Sequence, residues 1–164
     1  MDLLGYEVKD KVSGLTGVAF EYVKFITGCD QYMIQPAAKE DGTMPRNSLI
    51  DFTRLEKTKE DRAMEPINVD LSEVDVDDAI MGHDAQDTVS KFKGVIVGLS
   101  VSISGVISVG ISPVVDEKNE GKNSLWFELD RVEVTPKEDR FVHDKEEDKG
   151  GPNIDAPTKE NRIK

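Results

Sequence analysis

The chain repeats itself. Residues 5 to 56 recur at residues 82 to 133 without a gap, so each residue of the first copy answers to the one 77 positions later. The segment Val12–Val18, VSGLTGV, aligns with Val89–Val95, VSKFKGV. The shift also pairs Gly5 with Gly82, Asp10 with Asp87, Gly28 with Gly105, Ile34 with Ile111 and Pro36 with Pro113. It pairs Glu40 with Glu117, Arg54 with Arg131 and Glu56 with Glu133. With Val12, Ser13, Gly17, Val18 and Ile26 the identities reach thirteen in 52 positions, where ordinary residue usage gives about three. One offset that holds through glycines, a proline and charged residues describes two copies of one structural unit. Whatever one copy folds into, the other must also fold into.

Hydrophobic alternation identifies the unit as β. In copy two, Leu99-Ser100-Val101-Ser102-Ile103 alternates apolar and polar, the pattern of a strand with one buried face. Ser104-Gly105 supplies a tight turn, Val109 to Ser112 resumes the alternation, and Pro113 ends it. Copy one has the same hairpin: Val18 to Ile26, a turn at Thr27-Gly28, then Cys29 to Gln35 and Pro36. A short strand is expected before each hairpin, at Val8–Val12 and Thr88–Ser90. Polar loops, Ala37–Asn47 and Val114–Asn123, follow, and each copy closes on an apolar strand, Leu49–Leu55 or Leu125–Val134.

Four or five short strands in a unit this small remove their exposed edges best by closing. The expected fold class is all-β, with two tandem small SH3-like barrels, an acidic linker and an extended C-terminal tail. An open sandwich shared by both copies is the alternative. The expected boundaries are 1–57 for copy one, 58–80 for the linker, 81–136 for copy two and 137–164 for the tail. Domains of this size are marginal alone, so the copies are expected to pack together.

The copies differ on one face. Val23 and Phe25 of copy one stand where copy two has Ser100 and Ser102. A strand apolar on both faces must be covered on both. Val23 and Phe25 are therefore candidate interface residues, covered by the other repeat, by the linker or by another protein.

The linker carries Ile67-Asn68-Val69-Asp70-Leu71, an alternation that suits an edge strand, then a run with Asp75, Asp77 and Asp78. The run lacks the glycine and terminal glutamate of an EF-hand loop, so it is expected to be a solvated acidic stretch. The tail is polar and cannot form a core. Its few large apolar residues, Phe141, Val142, Ile154 and Ile163, are candidate anchors on a partner.

Nothing in the sequence marks an active site. His83 and His143 sit in acidic, exposed contexts, and Cys29 answers to Val106, as an inert, partly buried thiol would. No Cys/His cluster with zinc spacing, phosphate-binding glycine loop or nucleophile elbow occurs. The recurring Arg54-Leu55-Glu56 and Arg131-Val132-Glu133 are expected to support the fold through a surface ion pair or loop contact, and Trp126 and Phe127 to fill the second core. No enzymatic activity and no catalytic, cofactor-binding or metal-ligating residue is expected. A net charge of -12 repels phosphate, so nucleic acid is not an expected partner. No apolar run long enough for a membrane span or a secretory leader occurs, and no membrane association is expected. The single cysteine cannot form an internal disulfide.

Copy one reads VKDKVSGLTGVAFEYVKFITGCDQYMIQP and later LIDFTRLE. It resembles a family of short bacteriophage proteins with the pattern KDKVTGFxG, YLTGCxQY, P and WFDExRLE, which are similar to small SH3-like β-barrels. The resemblance covers Val8 to Glu56; copy two keeps VSKFKG, Gly105, Pro113 and WFELDRVE but lacks GCxQY. It implies phage origin and carries over no catalytic residue. The expected function is a non-enzymatic virion structural protein, decorating or cementing the head. Its expected partner is the major capsid protein or another virion protein, with homo-oligomers allowed, and its location is the virion, after the host cytoplasm. The alternative is a small phage effector that binds a host protein or nucleotide, including an acidic DNA mimic.

Overall fold

In a computed structural model the described residues are 3–67, 80–114 and 123–141. They are all-β, arranged as one ten-stranded antiparallel sheet. Copy one supplies β1 (Glu7–Asp10), β2 (Thr16–Phe25), β3 (Gln31–Gln35), β4 (Ser48–Asp51) and β5 (Leu55–Lys57). Copy two supplies β6 (Asp84–Asp87), β7 (Lys93–Ser102), β8 (Ile107–Ser112), β9 (Leu125–Glu128) and β10 (Val132–Thr135). A 3-10 turn separates the last two strands of each copy, at Phe52–Arg54 and Leu129–Arg131. Every element thus has its counterpart at the expected offset, to within a residue. The first strand of copy two lies upstream of its expected place, and Thr88–Ser90 forms a turn instead. The expected closing strands are each interrupted by the 3-10 turn.

Within copy one the strand order is β5-β1-β2-β3-β4, and copy two repeats it. The long strand β2 pairs with β3 along one edge, while β1 covers only the N-terminal half of the other. The remaining half is taken by β7 of the other copy. The repeats therefore do not close into two separate barrels. The edge that closure would have had to cover is satisfied instead by the equivalent edge of the second copy, and the sheet stays open.

The register of this junction defines its symmetry. Glu21 faces Ser102, Tyr22 faces Val101, Val23 faces Ser100, Lys24 faces Leu99 and Phe25 faces Gly98. Exchanging each residue for its repeat equivalent maps the ladder onto itself, with Val23 and Ser100 at the centre. The two copies are thus related by a local two-fold axis through that pair. Both long strands carry a bulge at the same place, between Ala19 and Glu21 and between Ile96 and Gly98. The bulged residues turn their carbonyls across the junction: Phe20 O accepts from Ile103 N–H at 2.7 Å, and Val97 O from Ile26 N–H at 2.8 Å. Bulges release backbone groups from one ladder, and here those groups extend another.

Each copy keeps its own core. Leu3, Val8, Ala19, Tyr22, Tyr32, Ile34, Ile50 and Leu55 form the first. Met81, Ala85, Ile96, Leu99, Val101, Val109 and Ile111 form the second. Equivalent sites exchange bulk: Ala19 and Tyr32 answer to Ile96 and Val109, so volume lost at one position is returned at another. Ile26 of copy one packs against the second core, tying the halves together.

Glycines mark two close passages. Gly28 and Gly105 turn their hairpins at φ of 103 and 83 degrees, where a side chain is disfavoured. Gly17 and Gly94 begin the long strands where a Cβ would press on the Gln35 and Ser112 carbonyls.

Copy one also reaches beyond its expected boundary. Ala63 and Met64 N–H groups both donate to Gly5 O. In copy two the same position is held by Arg140 and Phe141, whose backbone crosses Gly82. Lys137 N–H donates to His83 Nδ1 at 2.9 Å and the Arg140 guanidinium to Met81 O at 3.0 Å. Residues 137–141 therefore belong to the second module, not to a free tail. Ile67 enters no strand, though its N–H donates to Ile103 O. The expected strand beyond it and the acidic run lie outside the described residues.

Candidate interaction face

Among the described residues, the two ion pairs with a fully buried carboxylate serve the fold. Asp10 is fully buried, and both of its oxygens are engaged. Oδ1 accepts from Val12 N–H at 3.2 Å and Arg54 Nε at 3.0 Å. Oδ2 accepts from Ser13 N–H at 3.0 Å and from Ser13 Oγ and Arg54 Nη2 at 2.5 Å. Asp87, Ser90 and Arg131 repeat the arrangement, with Arg131 Nε 2.6 Å from Asp87 Oδ1. The arginine, followed by the serine, holds Asp10 well below the usual carboxylate range. Arg131 does the same for Asp87, with Ser90 adding to it. Each unit clips the β1–β2 or β6–β7 turn to the 3-10 turn 44 residues downstream. The recurring arginine thus pairs with the aspartate rather than with the neighbouring glutamate, and Glu56 and Glu133 are exposed. The pair is also less superficial than expected, because its acidic member has no solvent exposure.

Chemistry elsewhere is sparse. Among the described residues no group of three or more His, Cys, Asp or Glu is placed to hold a metal ion. No helix among them is long and apolar enough to cross a membrane. Cys29 is exposed in the hairpin turn, not partly buried as expected. His83 is half-buried and accepts the Lys137 N–H, so it does structural work. His143 lies outside the described residues.

The two-fold junction instead presents a broad outer face, opposite the two cores. Directly opposed residues lie on one face of a pleated sheet. One row runs through the axis as Asp51, Gln31, Val23, Ser100, Ser108 and Glu128 across six strands. Beside it lie Leu49, Met33 and Glu21 on one side, and Phe25, Gly98, Gly110 and Trp126 on the other. A groove of about 250 Å³ opens among Val23, Phe25, Met33, Leu49 and Trp126, with Glu21, Ser100 and Ser108 as polar lining.

Of the candidate interface residues, Val23 is 4% exposed and sits on the axis against Ser100. Phe25 is half-buried and meets Trp126 of the other copy edge-on, ring centres 6.1 Å apart. The second repeat thus contributes to covering both. Phe141 is 56% exposed; Val142, Ile154 and Ile163 lie outside the described residues.

Trp126 departs most from expectation. It does not fill the second core; Phe127 packs there instead. Trp126 lies on the outer face, 42% exposed, over two glycines. A Cβ on Gly98 would approach its ring to 2.9 Å, and one on Gly110 to 3.2 Å. Its copy-one equivalent, Leu49, is 40% exposed. Glu21, Met33, Leu49 and Trp126 were not singled out from the sequence as parts of this face. The signal available was the pair of glycines inside copy-two strands, at the positions of Glu21 and Met33, because an interior strand glycine often marks a close approach. The chain matches no protein-family model, no curated protein and no solved structure.

Proposed function

We propose that this chain is a non-enzymatic virion structural protein of a bacteriophage, bound to the head lattice through the outer face of its two-fold junction. The observation that carries this reading is the fusion of two repeats into one sheet with an apolar groove at its centre. Adding a module to a lattice needs rigid surface rather than an active site, and both buried aspartates are committed to rigidity. Partly exposed apolar and aromatic residues gathered at one place are the surface composition of binding sites. The sequence resemblance supplies the phage assignment, and the major capsid protein is the proposed partner.

Each repeat is further proposed to be an opened relative of the SH3-like barrel. The order β5-β1-β2-β3-β4, with a 3-10 turn between the last two strands, supports that description. The test of function is quantitative mass spectrometry of purified particles. Decoration requires copy numbers comparable to the capsid subunits. Absence from particles, or a handful of copies, would refute head decoration.

A further inference from the structure

We infer that the groove on the two-fold junction receives an arginine side chain from a basic segment of the partner. This deepens the binding-face reading above and rests on it. Three observations converge. The first is the departure from internal symmetry. Copy one puts Glu21, Met33 and Leu49 where copy two puts Gly98, Gly110 and Trp126. Glycine inside a strand weakens it, and here both glycines seat one indole against the sheet while leaving it 42% exposed. An indole placed in this way offers a surface to a ligand.

The second observation is charge. Glu21 lines the groove beside Val23 and Met33, and among the described residues no lysine or arginine lines it. Among the described residues Glu21 has no ion-pair partner. Asp51 and Glu128 end the row through the axis on either side. The whole chain carries -12. A cation is the complementary ligand.

The third is the mixture of surfaces. An aromatic platform, an apolar floor, a carboxylate and two serine hydroxyls match the guanidinium group better than an ammonium. Guanidinium is planar, stacks on an indole, is weakly hydrated and still offers donors around its edge. Stacked on Trp126, it can donate toward the Ser100 and Ser108 hydroxyls while its methylenes lie on Phe25 and Val23, and Glu21, two residues beyond Val23 along β2, attracts it from the far end of the groove.

Trp126 is the only tryptophan, so its fluorescence reports on the groove alone. The full-length chain is titrated with a short peptide of alternating arginine and glycine, and with versions carrying lysine or glutamate in place of arginine. Calorimetry follows the variants. The arginine peptide is expected to change Trp126 emission and to bind more tightly than the lysine peptide, with the glutamate peptide inert. Trp126→Leu, the residue natural to copy one, and Glu21→Gln should each weaken binding at least about 5-fold, whereas Glu56→Gln on distant β5 should change it less than about 2-fold. Circular dichroism confirms that each variant is folded. Unchanged emission, equal binding of the lysine peptide, or equal effects of Glu21→Gln and Glu56→Gln would overturn the inference. The last result would reduce the attraction to bulk charge. Particles play no part in the titration, so a chain abundant on heads can still fail it, and a chain absent from heads can pass it.

Discussion

Replacing Gly94 by alanine tests the closest passage in the sheet. Gly94 begins the long strand β7, where the chain leaving β8 crosses it. A Cβ there would press on the Ser112 carbonyl oxygen, 2.6 Å from its carbon and 2.9 Å from Pro113 Cα. Ordinary van der Waals contact begins near 3.4 Å, and every atom met is backbone. No side chain can swing away, so the two strands must separate. Overpacking of this kind costs about 1–3 kcal/mol, and a clash made wholly with backbone belongs near the top. Alanine also restricts the unfolded chain, which returns about 0.4–1 kcal/mol. The net loss is about 2 kcal/mol, or a fall in Tm of roughly 4–8 °C for a chain of this length. Urea unfolding is the assay, with an unchanged m-value and a lower midpoint expected. Gly17→Ala should cost less, because one of the atoms met is the Ile34 Cγ2 methyl, which can give. Gly14→Ala should cost only about 1 kcal/mol, from its left-handed φ of 77 degrees and not from a clash: nothing lies within 4 Å, and Lys91 already holds the equivalent position at φ of 63 degrees. A Gly94→Ala protein as stable as the parent, or a Gly14→Ala protein equally damaged, would refute the close-passage reasoning.

The buried aspartates make stability depend on acid. Arg54 and Arg131 depress their carboxyls below the ordinary value of 3.8. The contribution is therefore complete above about pH 4 and is lost as pH falls toward the folded-state value. Unfolding midpoints measured between about pH 6 and pH 2 should drop, and the Asp10→Asn, Asp87→Asn double variant should show a flatter profile over the same range. Leu99 is fully buried in the second core beside the junction, so Leu99→Ala should cost about 2–5 kcal/mol in urea unfolding; a loss below about 1 kcal/mol would contradict that packing. Cys29 is exposed, and a disulfide reagent should titrate one thiol per chain without denaturant; reaction only after unfolding would show it shielded.

Much of the local structure is legible in the residues. The hairpin around Gly105 follows from alternation interrupted by Ser104-Gly105, and the left-handed glycine confirms the turn. The first strand of copy two is not legible in the residues because Asp84-Ala85-Gln86-Asp87 is short and polar, and its place is set by pairing with β7 and β10 rather than by its own pattern. The outward orientation of Trp126 is hidden in the sequence for a related reason. In Leu125-Trp126-Phe127 three apolar residues stand in a row, so alternation cannot say which face is inward. The register with Val109 and Gly110 decides: Phe127 faces the core and Trp126 faces out.

The sequence alone determined the duplication and the β class, because a repeated offset and period-two alternation are carried by the chain itself; it marked Asp10, Asp87, Arg54 and Arg131 as recurring, but that they pair across 44 residues was decided by the fold. It also marked Val23 and Phe25 as needing cover on a second face. What supplies that cover was decided only by tertiary structure. Each copy leaves half of its longest strand unpaired, and those open edges are identical in kind and held at high local concentration by the linker. Two such edges satisfy their hydrogen bonds most directly on each other, antiparallel about a two-fold axis. A closed barrel would satisfy the same groups within one repeat. The choice between these outcomes rests on long-range pairing, which no window of residues contains.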